Sequence, residues 1–335
     1  MYIQRLLFLV PLLFSTAAFS SWTKQPDDNL KIELGIVIPN YSVEIQAPKE
    51  ISKKVAKYQP HSASKTALGL SYRNLGATLS TTNPTKEENN LKFGKSSSTD
   101  FQFRFFGKRT YEFFYSSYKG YYLENSQDLD PSYLGNPVKI QRPDMKTSNF
   151  GFNFYWNLHE KDYSQAVAFD QAGIQKGSGW GVSWLVHASD SRITADSPFI
   201  PSAATSDFGF LSVVKDVERQ TLATGFGIGG IATWKNLYVT AFLAIGLGYQ
   251  KLHVDGGALG EQDVEIVGSY ISPRLGLGYN GEKNVPGLQL LSDNVTSPYA
   301  NGEFRGSTME LKAFYAYRFD GINIPLLNPV SAWFD

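Results

Sequence analysis

The sequence of 335 residues contains no cysteine. This absence excludes disulfides, zinc–thiolate sites, iron–sulfur clusters and thiol nucleophiles. An excess of charge of one sign is also missing, because 31 Lys and Arg residues balance 31 Asp and Glu residues. The balance argues against a basic protein that binds nucleic acid. No apolar run approaches the ~18 residues of a membrane-spanning helix, and the longest covers residues 239–249.

Aromatic residues are abundant, with 23 Phe, 19 Tyr and 6 Trp. They recur with a period of two, the period at which side chains share one face of a β-strand. In the segment 99–105, three phenylalanines alternate with polar residues, and in 309–319 apolar residues alternate with charged ones. The same alternation is found in 111–116, 150–157, 180–186 and 237–250. The pattern predicts an all-β fold.

Two features favour an antiparallel transmembrane β-barrel. The apolar faces are rich in Phe, Tyr and Trp, as on the lipid-facing side of outer-membrane barrels. Short turns alternate with long polar loops, which is typical of short periplasmic turns and long extracellular loops. The short turns are predicted at 73–74, 107–109, 235–236 and 280–284, and the long loops at 82–97, 125–146, 189–218 and 251–263. A soluble periplasmic β-protein is the alternative, with the same apolar faces turned inward.

The alternation predicts about twelve strands, and ten are possible if weak segments are not counted. The barrel is assigned to residues 65–319, preceded by a segment 21–64 with the first strand and followed by an extension 320–335. We expect the extension to fold back on the periplasmic rim. The predicted strands are 31–38, 65–73, 75–82, 98–106, 110–119, 146–158, 178–188, 219–233, 237–250, 264–279, 286–291 and 308–319.

The N-terminus resembles a secretory signal peptide spanning residues 1–20. Arg5 precedes a short apolar core, and Ala18-Phe19-Ser20 fits a cleavage site. An exported chain without disulfides favours a bacterial envelope protein. We therefore predict a location in the bacterial outer membrane, with outer-membrane lipids and the barrel-insertion machinery as partners and no nucleic acid. The sequence leaves the oligomeric state open.

If the aromatic faces contact lipid, the opposite faces line the lumen. Charges of both signs occupy those faces, and in a narrow barrel such charges pair and close the bore. Arg104 and Glu112 flank one hairpin and are expected to pair. The predicted lumenal charges are Asp100, Arg104, Glu112, Arg274, Glu310, Lys312 and Arg318.

Three consecutive predicted strands carry glycines on one face, predicted to point into the lumen. Glycine in a strand often marks the close approach of another group. One explanation is strong curvature of a small barrel, and the other is a ligand or a plug packed on this wall. The candidate plug is the segment 163–177, which lacks the aromatic face of its neighbours. The glycines are Gly225, Gly227, Gly229, Gly246, Gly248, Gly276 and Gly278.

One pair of residues carries a candidate chemistry. His187 and Ser189 share a strand face, so that imidazole and hydroxyl can touch, and Asn153, Asp190 or Glu218 are candidates to orient the histidine. The His-x-Ser spacing resembles that of outer-membrane phospholipases and lipid A deacylases, and a purely structural role is the alternative. The four histidines are scattered, so we predict no metal site and no cofactor.

Several short motifs resemble an uncharacterised family of Gram-negative envelope proteins, known as a domain of unknown function. They comprise Tyr58-Gln59-Pro60-His61, then Gly69, Tyr72 and Gly76, and in mid-chain Tyr163-Ser164, Ala166, Ala168-Phe169, Gln171, Gln175-Lys176 and Ser178-Gly179. In the family, Asn stands where this chain has His61, and Gln165 and Val167 interrupt the mid-chain motif. The resemblance spans residues 30–319. It implies an outer-membrane barrel and brings no known activity.

The sequence therefore predicts a non-enzymatic, porin-like barrel, narrow or plugged, that serves passage, binding or envelope structure. A lipid hydrolase that uses His187 and Ser189 is the first alternative. A soluble periplasmic β-protein is the second.

Overall fold

A closed antiparallel barrel of twelve strands forms the body of the chain. The structure, a computed structural model, describes residues 23–24, 30–61, 64–107, 109–159, 162–257 and 260–329. The predicted signal peptide lies outside the described residues. The strands are β1 (Thr23–Lys24), β2 (Leu30–Gln46), β3 (Val55–Gln59), β4 (Lys65–Tyr72), β5 (Leu75–Thr82), β6 (Ser97–Phe105), β7 (Arg109–Leu123), β8 (Ile140–Asn157), β9 (Ile174–Gln175), β10 (Gly179–Thr194), β11 (Asp216–Trp234), β12 (Leu237–Asp255), β13 (Glu261–Tyr279), β14 (Asn284–Tyr299) and β15 (Gly302–Phe319).

The ring runs through β2, β4 to β8 and β10 to β15, and it closes where β15 pairs with β2. Phe319 lies opposite Leu30 in this closing pair, and Glu303 lies opposite Gln46. The short strand β3 lies between β2 and β7, and β1 and β9 form a separate two-stranded sheet. The prediction of a transmembrane-type antiparallel barrel with twelve strands is confirmed.

The side chains alternate across the wall as the period of two demands. Phe150, Phe226 and Leu247 point outward and are 59%, 64% and 63% exposed. Their neighbours along the strands point inward and are buried or half-buried. An apolar belt on the outside and a polar interior are the arrangement of outer-membrane barrels.

The two ends of the barrel differ. We call the end with the tight connections at 73–74, 235–236 and 280–283 the turn end, and the opposite end the loop end. Most strands extend further toward the loop end than predicted: β8 begins at Ile140 and β10 ends at Thr194. In these extensions the outward residues are mostly polar, and the apolar ones, such as Leu252 and Val254 of β12, point inward. The outward apolar alternation that marks the rest of each strand therefore stops.

In the described connections between the strands of the barrel lie four short helices and three 3₁₀ turns. Among the described residues, none of the helices is long and apolar enough to cross a membrane. The helices are α1 (Glu87–Phe93), α2 (Ser126–Leu129), α3 (Gln165–Asp170) and α4 (Thr205–Phe208), and the 3₁₀ turns are Pro131–Tyr133, Ser202–Ala204 and Gly209–Val213.

The C-terminal extension contacts the turn end, at the tight connection between β4 and β5. The Tyr72 hydroxyl donates to Asn328 Oδ1 at 2.8 Å, and it accepts from the Ile324 amide at 3.2 Å. The described part of the extension, which ends at residue 329, therefore lies against the rim where the short turns are.

The connection between β10 and β11, residues 195–215, folds over the loop end, and we call it the cap. Phe199, Phe208 and Leu211 of the cap are fully buried among apolar residues of the wall, such as Ile45 and Leu123. The sequence predicted a long polar loop at 189–218, which would lie in solvent. That expectation is wrong, because the apolar side chains of the cap and of β2, β3, β7, β11, β12 and β15 form one layer across the barrel.

Candidate functional site

A charged network crosses the middle of the lumen. Glu112 on β7 accepts from Arg104 on β6 at 2.8 Å and from Arg274 on β13 at 3.1 Å. Arg274 also donates to the Tyr155 hydroxyl at 2.9 Å, and Asn153 donates to Glu112 at 3.1 Å. Opposite walls of the barrel are thus linked through one carboxylate, and three charges predicted to be lumenal meet there.

The other predicted lumenal charges also lie inside the ring, and each meets a partner. Lys65 contacts Asp100 and lies 3.3 Å from Glu310. Lys312 contacts Glu33 at 2.8 Å. The prediction did not include Lys65 and Glu33, although each occupies the inward-facing register of a predicted strand. Arg318 lies near the turn end and bonds main-chain oxygens, as described below.

The segment 163–177 lies inside the lumen at the turn end, and we call it the plug. It connects β8 to β10 and contains α3, whose residues Gln165 to Phe169 are all buried. Ser164 caps the first turn of the helix by accepting from the Val167 amide, and Gln171 ends it in a left-handed conformation. Tyr163 is fully buried. A connection at the end of tight turns therefore enters the barrel instead of crossing its rim.

Wall side chains hold the plug mainly through its main-chain oxygens. Lys31 donates to the Asp170 carbonyl, and Gln289 donates to the Phe169 carbonyl. Arg318 donates to the carbonyls of Gln171 and Gly173 at 2.9 and 3.0 Å. The Asp170 carboxylate adds an ion pair with Arg104. Four wall donors thus converge on residues 169–173.

The seven glycines predicted to face the lumen were explained either by curvature of the barrel or by a plug packed against them. Each explanation applies at different positions. A Cβ at Gly229 would lie 2.6 Å from the Tyr163 hydroxyl, so the plug occupies that space. A Cβ at Gly276 would first meet Thr240 Cγ2 of the wall, at 2.9 Å, and would lie at an ordinary contact distance of 3.6 Å from the Phe169 ring.

At the remaining positions the neighbouring wall itself takes the space. The atoms nearest to an added Cβ belong to the main chain of adjacent strands at Gly225, Gly246, Gly248 and Gly278, and at Gly227 to the ring of Phe242. Curvature and inward packing of the barrel therefore account for these five and for Gly276, and the plug accounts for Gly229.

A polar cavity of about 100 Å³ lies between the plug and the cap. Arg219 on β11 lines it and donates to the hydroxyls of Ser191 and Ser297, at 3.2 Å each. The sequence analysis did not single out Arg219, although it begins a predicted strand on the lumenal face. His187 and Asn153 line the same cavity.

His187 and Ser189 are in hydrogen-bond contact. His187 Nε2 lies 3.0 Å from Ser189 Oγ, and His187 Nδ1 lies 2.7 Å from Asn153 Oδ1. Of the three predicted orienting residues, the structure brings Asn153 to the imidazole. The group points into the lumen and not toward lipid, and the Tyr270 ring stacks on the imidazole at 4.2 Å. The geometry of a nucleophile, a base and an orienting group is present.

Within the part of the chain that the structure describes, no three His, Asp or Glu side chains cluster as a metal site would require.

One family model and several solved structures are similar to this chain. A family model, described as "Domain of unknown function (DUF4421)", matches residues 20–319. A search of curated proteins gives no match. The outer membrane protease OmpT from Escherichia coli is similar at 9% identity, with 91% of this chain and 100% of that chain covered and a TM-score of 0.37.

Two outer-membrane proteins of Pseudomonas putida are similar to a comparable degree. An outer membrane channel from strain F1 is 11% identical, with 91% of this chain and 100% of that chain covered and a TM-score of 0.34. The toluene transporter TodX is 10% identical, with 88% and 89% covered and a TM-score of 0.28.

Proposed function

We propose that this chain, which belongs to the DUF4421 family, is a non-enzymatic outer-membrane barrel that passes small polar solutes through a lumen closed at rest by the plug. The observation that carries the proposal is the nature of the closure at the turn end. A separate segment of chain fills the bore there and is held by reversible hydrogen bonds from Lys31, Gln289 and Arg318. Such a segment can leave without unpairing the strands of the wall.

The outer surface supports a location in the bacterial outer membrane. Exposed apolar residues cover the barrel on every side. Soluble proteins rarely expose a continuous apolar surface of this size to water. In that membrane the turn end faces the periplasm and the loop end faces the outside. The plug then closes the periplasmic end, and the cap closes the outer end.

The cavity between the two closures supports passage over a purely structural role. A barrel that served only as an envelope anchor would gain stability from an interior filled with side chains. This lumen instead keeps a polar space next to Arg219, His187 and Arg274. A solute admitted at one end would rest there before the other closure opens.

Single-channel conductance of the refolded protein in a planar bilayer tests the proposal. Four proteins are compared: wild type, a variant with residues 163–177 replaced by a short Gly–Ser linker, a variant with the cap residues 197–213 replaced in the same way, and the double variant. We expect silence from wild type, at most brief openings from each single variant, and steady openings from the double variant.

A heat-dependent shift in gel mobility serves as the control for folding, because a folded barrel resists detergent until it is boiled. Steady openings in wild type would mean an open bore and would contradict the proposal. Silence in a folded double variant would contradict it equally, since the plug and the cap would then not be what closes the lumen.

Hydrolysis is a second candidate function, favoured by the contacts of His187 with Ser189 and Asn153. In this mechanism His187 takes the proton of Ser189 Oγ as the oxygen attacks an ester carbonyl, and the leaving alcohol takes that proton. Water then releases the acyl group. Since the three residues face the lumen, the substrate would be a small ester inside the barrel and not a bilayer lipid.

A fluorophosphonate probe, which labels activated serines, tests this candidate. Hydrolysis requires labelling of wild type that is lost in Ser189→Ala and retained in Ser183→Ala, the matched control on the same strand face. Equal labelling of wild type and Ser189→Ala, or none in a plug-deleted barrel, would exclude the enzymatic role.

A further inference from the structure

We propose that the lumen selects small solutes that carry an oxyanion, such as a carboxylate or a phosphate, and that the plug occupies their binding site at rest. This inference rests on the proposed function and names the class of solute. It follows from the atoms that the plug presents to the wall, and from the charges that its departure would leave behind.

The plug meets the wall with oxygen atoms. The acceptors in residues 169–173 are four carbonyl oxygens and the Asp170 carboxylate. The donors on the wall are three cationic side chains and one amide. Charged donors paired with oxygen acceptors are the arrangement by which proteins bind carboxylates and phosphates. The plug therefore imitates an oxyanion bound to the turn end of the lumen.

Removal of the plug changes the charge of the lumen at this end. Four cations line the wall there: Lys31, Arg104, Lys312 and Arg318. The wall carboxylates that contact them are Glu33, which bonds Lys312 at 2.8 Å, and Glu112, which Arg104 shares with Arg274.

Arg318 gains the most unmet hydrogen-bonding capacity when the plug leaves. Its bonds go to neutral oxygens: those of Gln171 and Gly173 on the plug, and those of Gly281 and Asn280 on the wall. Without the plug, two of these acceptors are lost and no carboxylate replaces them among its contacts. A guanidinium in this state is a strong site for a bidentate oxyanion.

A cavity next to the plug already extends toward these groups. It is small, about 20 Å³, and Lys31, Arg104, Asp170 and Lys312 line it. An oxyanion that enters from the periplasmic side would compete with Asp170 for Arg104, and with the plug carbonyls for Arg318. The solute itself would thereby favour the open state, since it binds only where the plug is absent.

The test measures how fast an engineered thiol in the lumen reacts with charged reagents. Thr308 lines the central cavity, and the native chain has no cysteine, so Thr308→Cys provides a single reporter. In the barrel with residues 163–177 replaced, we compare the anionic 2-sulfonatoethyl methanethiosulfonate with the cationic 2-(trimethylammonio)ethyl methanethiosulfonate. Each rate is expressed relative to the rate of the same reagent with a free thiol in solution, because the attacking thiolate itself favours the cationic reagent. We expect the relative rate of the anionic reagent to be about tenfold higher, because a lumen lined by one sign of charge concentrates the opposite ion.

Two charge variants in the same background locate the effect. Arg318→Gln is expected to reduce the ratio of the two rates severalfold. Lys283→Gln removes a cation from the exposed rim, where it pairs with Asp320 at 3.6 Å, and is expected to leave the ratio unchanged. If replacement of the plug prevents folding, the double variant Asp170→Asn and Tyr163→Ala takes its place, since it loosens the plug and keeps the connection.

The outcomes separate this inference from the proposed function. Equal rates, or a faster cationic reagent, would overturn the selectivity and leave the plug as the closure. A thiol that reacts with neither reagent in a folded, plug-deleted barrel would overturn both, because the plug would then not be what separates the lumen from the periplasm. A high ratio that Lys283→Gln lowers as much as Arg318→Gln would move the selectivity to the rim and also overturn the inference.

Discussion

The cap and the plug close the two ends of one barrel with different shares of apolar and polar contacts. The cap places Phe199, Phe208 and Leu211 in an apolar layer shared with the wall. The plug packs Tyr163 and Phe169 against apolar wall residues but also sets main-chain oxygens against charged side chains. Several of its buried polar atoms have no hydrogen-bond partner among the described residues. These atoms include both side-chain polar atoms of Gln165 and the Oε1 atoms of Gln171 and Gln175.

This difference in contacts predicts which of the two closures opens first. Burial of large apolar side chains is favourable in itself, whereas a buried polar atom without a partner costs about 1–3 kcal/mol. Water and ions can replace the polar contacts of the plug, though not the packing of Tyr163 and Phe169, and they cannot replace the larger apolar layer of the cap. We therefore expect the plug to open more readily than the cap.

Hydrogen exchange of two main-chain amides measures the opening of each closure. In the cap the Phe199 amide donates to Val214 O, and in the plug the Ala168 amide donates to Ser164 O.

The largest effect is expected in the cap. Phe208→Ala removes a fully buried ring and should destabilise the closed cap by about 3–5 kcal/mol, because the cavity left behind adds to the lost burial. The exchange of the Phe199 amide should accelerate accordingly, and that of Ala168 should not. Leu134→Ala, in an exposed loop position, is the control. Unchanged exchange of the Phe199 amide in Phe208→Ala would show that the apolar layer does not hold the cap closed.

A smaller effect is expected when the plug loses its ion pair. Asp170→Asn keeps the shape of the side chain and weakens its contact with Arg104, which should destabilise the closed plug by about 1.5–3 kcal/mol. The Ala168 amide should then exchange faster while the Phe199 amide stays as it was. Asp320→Asn, which alters an exposed rim pair, is the matched control. Unchanged exchange of Ala168 would mean that Asp170 does not anchor the plug.

A change of opposite sign is expected at Gln165. Gln165→Met removes a buried amide that has no hydrogen-bond partner and keeps the length of the side chain. The buried surface of the plug thereby becomes more apolar, as that of the cap is. The closed plug should gain about 1 kcal/mol, and the Ala168 amide should exchange more slowly. Faster exchange in this variant would show that the amide of Gln165 is satisfied in solution and stabilises the closure.

The smallest effect is that of salt. An increase from 0.1 to 1 M shortens the Debye length from about 10 to about 3 Å and weakens charged contacts that water can reach. Exchange of the Ala168 amide should accelerate about twofold, since the contacts of Arg318 and Lys31 become easier to replace, while exchange of the Phe199 amide should stay constant or slow. If salt changed the exchange of the Ala168 and Phe199 amides equally, charged contacts would matter no more to the plug than to the cap.

The wall of the barrel was predictable because each strand repeats one simple rule. In β6 and β15, apolar residues alternate with Asp100, Arg104 and Lys312, and the period of two assigns each residue to a face. The contact between His187 and Ser189 followed from the same rule. The unusual composition of residues 163–177 marked the plug, because that segment has no aromatic face.

The cap was not predictable by that rule. Its apolar residues are clustered in short runs, such as Phe199-Ile200 and Phe208-Gly209-Phe210-Leu211, separated by polar and small residues, and they belong to irregular chain and single-turn helices. A loop with such clusters buries them wherever the tertiary structure offers an apolar surface. Partners from distant strands, such as Lys65 with Glu310, were likewise beyond reach, since only the closed ring brings them together.

The pairing of the first and last strands of the ring dictates the order of assembly. Leu30 meets Phe319 only when nearly the whole chain has been made, so β2 and β15 remain open edges until the final step. Open edges of this length readily pair with other chains. The plug lies midway along the chain, so it is made before the seam can close, but Arg318, which holds it, lies on the last strand. A chain truncated before β15 would therefore have an open seam and a plug without its Arg318 contacts.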